Sequence, residues 1–266
     1  MIRPDSAPNI DSFLPTQGIH NLRDYGGYSG ADGARLKQGL LFRSGQHRDA
    51  SDADLDLFQS LDIRTIVDLR GESERSSFVC RRHKDFSADV LAYDGETSNS
   101  PPHEGGGGKV EMTAERAYNR MIAVYTRMPV NPAMIDMFTR YFAALADRDG
   151  GSLVHCFAGK DRTGIAAALL MHALGAHHDD IVAEFLLTNH APTTEVLAKQ
   201  SLPRMEEHYG TIGEEALRNL MGVREEYIAT YWAEVTRDYG SVDAYLAQRL
   251  GVDETRKARL QERLLT

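Results

Sequence analysis

The chain is expected to form one α/β domain: a central, mostly parallel sheet flanked by helices, with a helical C-terminal half. Three observations predict this. Short runs rich in branched apolar residues occur at Leu40-Leu41-Phe42, Ile63-Arg64-Thr65-Ile66-Val67-Asp68-Leu69, Asp89-Val90-Leu91-Ala92-Tyr93 and Ser152-Leu153-Val154-His155. Beyond about residue 160 every periodic segment reads as helix. Two of the strand-like runs end on polar or reactive side chains, and ligands in open α/β sheets sit beyond the carboxyl ends of strands.

The elements follow in order. Residues 1–15, rich in Pro, Ser and Asp, read as a loose arm, and 16–266 as the domain. Leu40-Leu41-Phe42 is a strand ending at Arg43-Ser44, and Ser51 caps a helix running through Leu61. Ile63–Leu69 is a buried strand that delivers Asp68 and Arg70. Asp94 follows the next strand and opens a stretch to Lys109 that holds Pro101-Pro102 and Gly105-Gly106-Gly107-Gly108. That stretch reads as a flexible connection, with a lid over the site as the alternative. Helices are expected at Glu111–Arg127 and Pro132–Asp147, then at Ile165–Leu174, stopped by Gly175. The remaining helices are placed at His178–Thr188, Thr193–Tyr209, Glu214–Leu220, Glu225–Tyr239, Val242–Leu250 and Asp253–Leu264.

With 266 residues, 42% of them hydrophobic, the chain can bury a full core. A net charge of −9 argues against bulk nucleic-acid binding, so any anion site must concentrate its positive charge locally. Arg23, Arg43, Arg70, Lys160 and Arg162 are the candidates. Two cysteines, Cys80 and Cys156, are too few for a disulfide framework. The N-terminus lacks the apolar stretch of a signal peptide, and no apolar run is long enough to span a bilayer. A cytoplasmic location is expected, with signal-independent secretion left open.

The chemistry concentrates in His155-Cys156-Phe157-Ala158-Gly159-Lys160-Asp161-Arg162-Thr163-Gly164. A strand leads in and a helix leads out, so Cys156 sits on a tight loop at a helix N-terminus. The thiolate is the nucleophilic form of cysteine, whose free pKa is about 8.5. Inward backbone N–H groups from Phe157, Ala158 and Gly159 onward, the helix dipole, Lys160 and Arg162 all favour that anion. The same groups suit a phosphate monoester, with Arg162 holding two oxygens by its planar fork. Cys156 would attack phosphorus in line and form a phosphocysteine that water hydrolyses, with no metal or other cofactor required. A general acid must protonate the leaving oxygen. Asp161, inside the loop, and Asp94 are the two candidates, with Asp161 preferred.

This ten-residue block resembles the signature of the protein tyrosine phosphatase superfamily, in the form carried by a bacterial branch of atypical tyrosine and dual-specificity enzymes. Asn21-Leu22-Arg23-Asp24-Tyr25-Gly26-Gly27 is similar to a segment near the start of that branch, and Leu41-Phe42-Arg43-Ser44-Gly45 and Asp68-Leu69-Arg70 match in order. Tyr239-Gly240-Ser241, Tyr245-Leu246 and Leu250-Gly251 resemble its helical tail. The resemblance implies a cysteine phosphatase fold with Cys156 as nucleophile and Arg162 as phosphate clamp. In that motif the residue after the arginine donates to the sulfur, which gives Thr163 that role. The substrates it implies are phosphorylated proteins, on tyrosine or on serine and threonine, or phosphoinositides. One departure is the absence of a Trp-Pro-Asp acid loop: the only tryptophan, Trp232, lies far downstream.

Other motifs read more plainly. Gly159-Lys160 lacks the spacing of a nucleotide loop, since Val154 and Asp161 stand where that motif needs Gly and Ser or Thr. His47-Arg48-Asp49 reads as a surface turn, and His177-His178-Asp179-Asp180 as a solvated helix start. Cys80 reads as a structural thiol, with a disulfide to Cys156 under oxidation as the alternative. Arg23, Asp24, Arg43 and Arg70 are either structural ion pairs or a second anion site. Glu74, four residues past Arg70, is expected to pair with it on a helix.

Overall fold

The computed structural model describes residues 9–97 and 111–266. A five-stranded sheet has the order β1-β2-β5-β3-β4, with β1 at Arg23–Asp24, β2 at Leu41–Ser44, β3 at Ile63–Asp68, β4 at Asp89–Ala92 and β5 at Gly151–His155. Only β1 runs antiparallel, to β2; the β2–β5, β5–β3 and β3–β4 pairs are parallel. The two-residue β1 has no strand signature in the sequence. It forms because Arg23 and Asp24 pair with Arg43 and Phe42.

Side chains alternate across the strands and build two apolar layers. Leu41, Val67 and Val154 face the larger core with α4 (Pro132–Asp147) and α5 (Asp161–Ala173). Phe42, Ile66 and Leu153, one residue away on each strand, face α1 (Asp52–Ser60) through Leu55 and Phe58. Helix α1 starts at a capping box: Asp54 N–H donates to the Ser51 hydroxyl, and Ser51 N–H donates to the Asp54 carboxylate.

Helix α5 is buried along most of its length and forms the axis of the helical half. Around the larger core stand α3 (Ala114–Arg127), α6 (His178–Leu186), α9 (Glu225–Tyr239), α10 (Val242–Leu250) and α11 (Glu254–Leu264). Helices α7 (Thr194–Tyr209) and α8 (Glu214–Met221) form a smaller cluster with the start of α3, through Met112, Ala117, Ile212 and Ala216. A short α2 (Glu72–Ser77) follows β3. Because α2 begins at Glu72, Arg70 lies outside it, and the expected i,i+4 pair of Arg70 with Glu74 does not form.

Of the expected arm at residues 1–15, the described part is attached. Phe13 bridges to Arg23, and Leu14 N–H donates to the Leu22 carbonyl. The expected lid or connection at 95–109 falls, from residue 98 onward, outside the described residues.

Candidate active site

The parallel register aligns Ser44, His155 and Asp68 in one row at the carboxyl end of the sheet. Cys156 is the next residue out from β5, and α5 begins five residues later at Asp161. The intervening loop is packed tightly on the end of β2. Gly159 has φ +69°, and a Cβ there would lie 2.4 Å from the Ser44–Gly45 backbone, so only glycine fits.

Carbonyls of the loop are held from the β2 side. Gln46 N–H donates to the Phe157 carbonyl at 2.9 Å. Arg43 Nη2 and Asn21 Nδ2 donate to the Gly159 carbonyl at 2.8 and 2.7 Å. In a trans peptide the N–H points opposite to the carbonyl. The N–H groups of Ala158 and Lys160 therefore turn away from β2 toward the loop's other side, as an anion nest requires.

Arg162 is fixed by a carboxylate the sequence assigned elsewhere. Its Nη1 and Nη2 donate to Glu74 at 2.6 and 2.8 Å, and Nη1 also donates to the Leu69 carbonyl and the Thr97 hydroxyl. Burial opposes the charge on Arg162, but Glu74, Cys156 and Asp161 outweigh it and raise its pKa. Glu74 is likewise opposed by burial and then held ionised, first by Arg162.

Asp161 accepts a hydrogen bond from the buried Tyr125 hydroxyl at 2.7 Å, and Lys160 Nζ lies 3.5 Å from its other oxygen. Lys160 also donates to the Leu220 and Gly222 carbonyls at the end of α8. Asp94 sits exposed just after β4. The expected bond from Thr163 to the cysteine sulfur is not made: Thr163 Oγ1 is buried with no hydrogen-bond partner among the described residues.

Behind the loop lies a second buried polar group. Arg70 grips Asp68 with Nε and Nη2 at 2.9 and 2.7 Å, and Nη2 also reaches Cys80 Sγ at 3.2 Å. Cys80 and Cys156 are both free thiols. His155 stacks on His47 with ring centroids 5.0 Å apart, so His47, expected on a surface turn, is buried instead. Burial pushes His155 down to about 4 and His47 well below its ordinary value, so both rings are neutral at pH 7. Asp68 is opposed by burial but held at about 2 by His155 and Arg70.

The candidate second anion site does not assemble as one surface. Arg23 and Arg43 are fully buried against Glu184 of α6, at 2.8 and 2.6 Å. Burial and the neighbouring Arg43 push Arg23 down to about 10, so it stays charged at neutral pH. Asp24 accepts from the Gly26 and Gly39 N–H groups, and Arg70 is committed to Asp68. Nor do His177–Asp180 gather as ligands: the His177 side chain caps α6 by accepting from Asp179 N–H.

The sequence reading missed Glu184 and Tyr125. One signal was available for Glu184, a carboxylate set in the apolar stripe Ile181-Val182-Phe185 of a helix, where it must find a cation. Nothing in the sequence marks Tyr125 among the eleven tyrosines.

Comparison with known proteins agrees with this geometry. The chain is 36% identical over 242 residues to a provisionally named tyrosine-protein phosphatase of Cupriavidus necator, covering 88% of this chain and 83% of that one. It is 29% identical over 255 residues to the triple specificity protein phosphatase PtpB of Mycobacterium tuberculosis, covering 86% and 91%. A tyrosine-protein phosphatase of Nostoc commune is 28% identical over 227 residues, covering 80% and 70%. Residues 14–266 match the tyrosine phosphatase family as a whole. The chain belongs to that family, and its reaction is the cysteine-based hydrolysis of phosphoric monoesters.

Proposed function

We propose that Cys156 is the nucleophile, Arg162 the phosphate clamp and Asp161 the general acid of a phosphotyrosine phosphatase whose working unit is residues 16–266. The observation that carries this reading is the closed loop between β5 and α5, with Arg162 gripped by Glu74 along its Nη1–Nη2 edge. That grip leaves the Nε side of the fork for phosphate oxygens. Cys156 Sγ forms the bond to phosphorus as the bond to the leaving oxygen breaks, and Asp161 gives that oxygen its proton. Water then attacks the phosphocysteine, Asp161 takes a proton back, and inorganic phosphate leaves with the thiolate restored. The N–H groups of Ala158 and Lys160 and the start of α5 stabilise the equatorial oxygens. Asp161 is favoured over Asp94 because Tyr125 and Lys160 fix its carboxylate on the loop itself.

The Lys160 ammonium is committed to the Leu220 and Gly222 carbonyls and to Asp161, so Arg162 is the cation that meets substrate. A relative named for triple specificity adds weight to a range wider than phosphotyrosine. The further classes we propose are phosphoserine, phosphothreonine and phosphoinositides. Cytoplasm is the proposed location; no helix among the described residues is long and apolar enough to cross a membrane.

The test is phosphate release from phosphotyrosine, phosphoserine and phosphothreonine peptides and from a phosphoinositide panel. Cys156→Ser is expected to abolish release from every substrate. Asp161→Asn should lower kcat by about 100-fold or more on substrates with poor leaving groups, and Asp94→Asn by less than about threefold. The reverse order for the two aspartates would move the acid to Asp94.

A further inference from the structure

The loop that binds phosphate rests on a closed ring of buried hydrogen bonds. From the Gly159 carbonyl the ring runs to Arg43 Nη2 at 2.8 Å, and from Arg43 Nη1 to Glu184 Oε2 at 2.6 Å. Glu184 Oε1 accepts from Arg23 Nε at 2.8 Å, and Arg23 Nη1 donates to Asn21 Oδ1. Asn21 Nδ2 closes the ring on the same Gly159 carbonyl at 2.7 Å. Arg23, Arg43 and Glu184 are almost wholly removed from solvent.

Such a ring is an expensive way to join α6 to the sheet. Burying three charged groups carries a large desolvation penalty, and well-packed apolar residues of similar volume are often neutral or stabilising in their place. Two arginines also share one carboxylate, so the ring carries one unmatched positive charge beneath the loop. The Arg23 side chain makes no hydrogen bond to the loop among the described residues: it donates to Glu184, Asn21 and Thr188. Arg43 and Asn21 do touch it, and both meet at the carbonyl of the one loop residue that only glycine can fill.

We propose that Arg43 and Asn21, locked by Glu184 and Arg23, are positioning residues that set the Gly159–Lys160 peptide so that the Lys160 N–H faces the transferred phosphoryl group. The inference rests on the reading of residues 156–162 as the phosphate loop. A carbonyl held by two donors fixes the peptide plane, and the plane fixes the N–H on its opposite side. A flipped peptide would present a carbonyl oxygen to the phosphate instead of a donor. Neither Arg43 nor Asn21 need touch substrate for this.

The experiment compares three conservative variants with wild type well below their melting temperatures. Arg43→Lys keeps a buried charge beside Glu184 but loses the fork that spans both Glu184 and Gly159. Asn21→Asp keeps an acceptor for Arg23 and replaces the donor to Gly159 with a repelling oxygen. Arg23→Lys disturbs the ring without touching the loop. Readouts are kcat, KM, the competitive inhibition constant of inorganic phosphate, and Tm. Arg43→Lys and Asn21→Asp are each expected to lower kcat and weaken phosphate inhibition by about tenfold or more. Arg23→Lys, which reaches the loop only through the Oδ1 of Asn21, should lower Tm and weaken phosphate inhibition by less than either of the other two.

The proposal is overturned if folded Arg43→Lys inhibits and turns over like wild type. It is equally overturned if Arg23→Lys loses phosphate affinity as much as the other two, which would make the ring a fastener only. Should Arg43→Lys fail to fold, Asn21→Asp decides alone, and normal phosphate affinity there sinks the idea. Failure of the underlying reading would look different, because Cys156→Ser would then retain activity.

Discussion

Two arginine–glutamate pairs flank the loop, and they differ mainly in their access to water. Arg43 and Glu184 have side chains 0% and 2% exposed, on the sheet side. Arg162 and Glu74, on the open side, are 18% and 28% exposed. The geometry is similar, with Nη1 of each arginine 2.6 Å from a carboxylate oxygen. The buried pair has no alternative partner in solvent, so it behaves as fixed structure. The open pair keeps one side of its fork free to meet a phosphate while Glu74 holds the other. The same two side-chain types thus build a foundation on one side and a clamp on the other, and burial decides which.

The largest effect should come from breaking the buried pair. Glu184→Ala leaves two arginines facing each other in the interior, and loss of one partner from such a network costs about 3–5 kcal/mol. In thermal melts Tm should fall by about 10 °C or more. A shift of only a few degrees would mean that water or a rearranged carbonyl satisfies Arg23 and Arg43, and the contrast between the two pairs would narrow.

Next in size is the acid sensitivity of the histidines beside the loop. His155 is held at about 4 in the folded chain, chiefly by burial, against about 6.5 when unfolded. A lowered folded value means that the unfolded chain binds the proton first. The stability contributed by neutral His155 is therefore complete above about pH 6.5 and lost as pH falls toward 4, by a few kcal/mol. His47 is shifted in the same direction and adds to this loss. Asp68 contributes separately and lower, between its unfolded value and about 2. Urea melts from pH 7.5 to 4 should show the decline, and His155→Gln should flatten it. A flat wild-type profile above pH 4 would show that one of the rings is charged in the folded state.

A smaller stability effect, but a clear kinetic one, is expected from Glu74→Gln. Partial exposure limits the pair to about 1 kcal/mol of stability. With the fork less firmly aimed, kcat/KM should fall by about 10- to 100-fold. Unchanged kinetics would make Leu69 and Thr97 sufficient to hold Arg162.

Least in stability is Tyr125→Phe, which removes the hydroxyl donor from Asp161. Loss of that one hydrogen bond costs about 1 kcal/mol. Its sharper readout is kcat. An acid released from the Tyr125 hydroxyl is less firmly aimed at the leaving oxygen, so kcat should fall by about threefold to tenfold. An unchanged kcat would detach Tyr125 from the acid.

Much of the fold was legible because its signals are local. The β-branched run at Ile63–Asp68, the cap at Ser51 and the proline that opens α4 each act within a few residues, and their helices and strands appear where the spacing puts them. The loop was legible for the same reason, since nucleophile, cations and helix start are contiguous from Cys156 to Thr163. The strand at Arg23–Asp24 was not, because its pairing partner lies at Phe42–Arg43 and nothing in its own two residues favours extension.

By itself, then, the sequence determined the parallel sheet, the helical second half and the cysteine loop between them, all set by neighbours along the chain. The tertiary structure alone decided which carboxylate holds which arginine. Arg70 took Asp68, Arg162 took Glu74, and Arg23 and Arg43 shared Glu184, across separations of 2 to 161 residues. An ion pair depends on distance and burial in space, and neither is written in the spacing of charges along the chain.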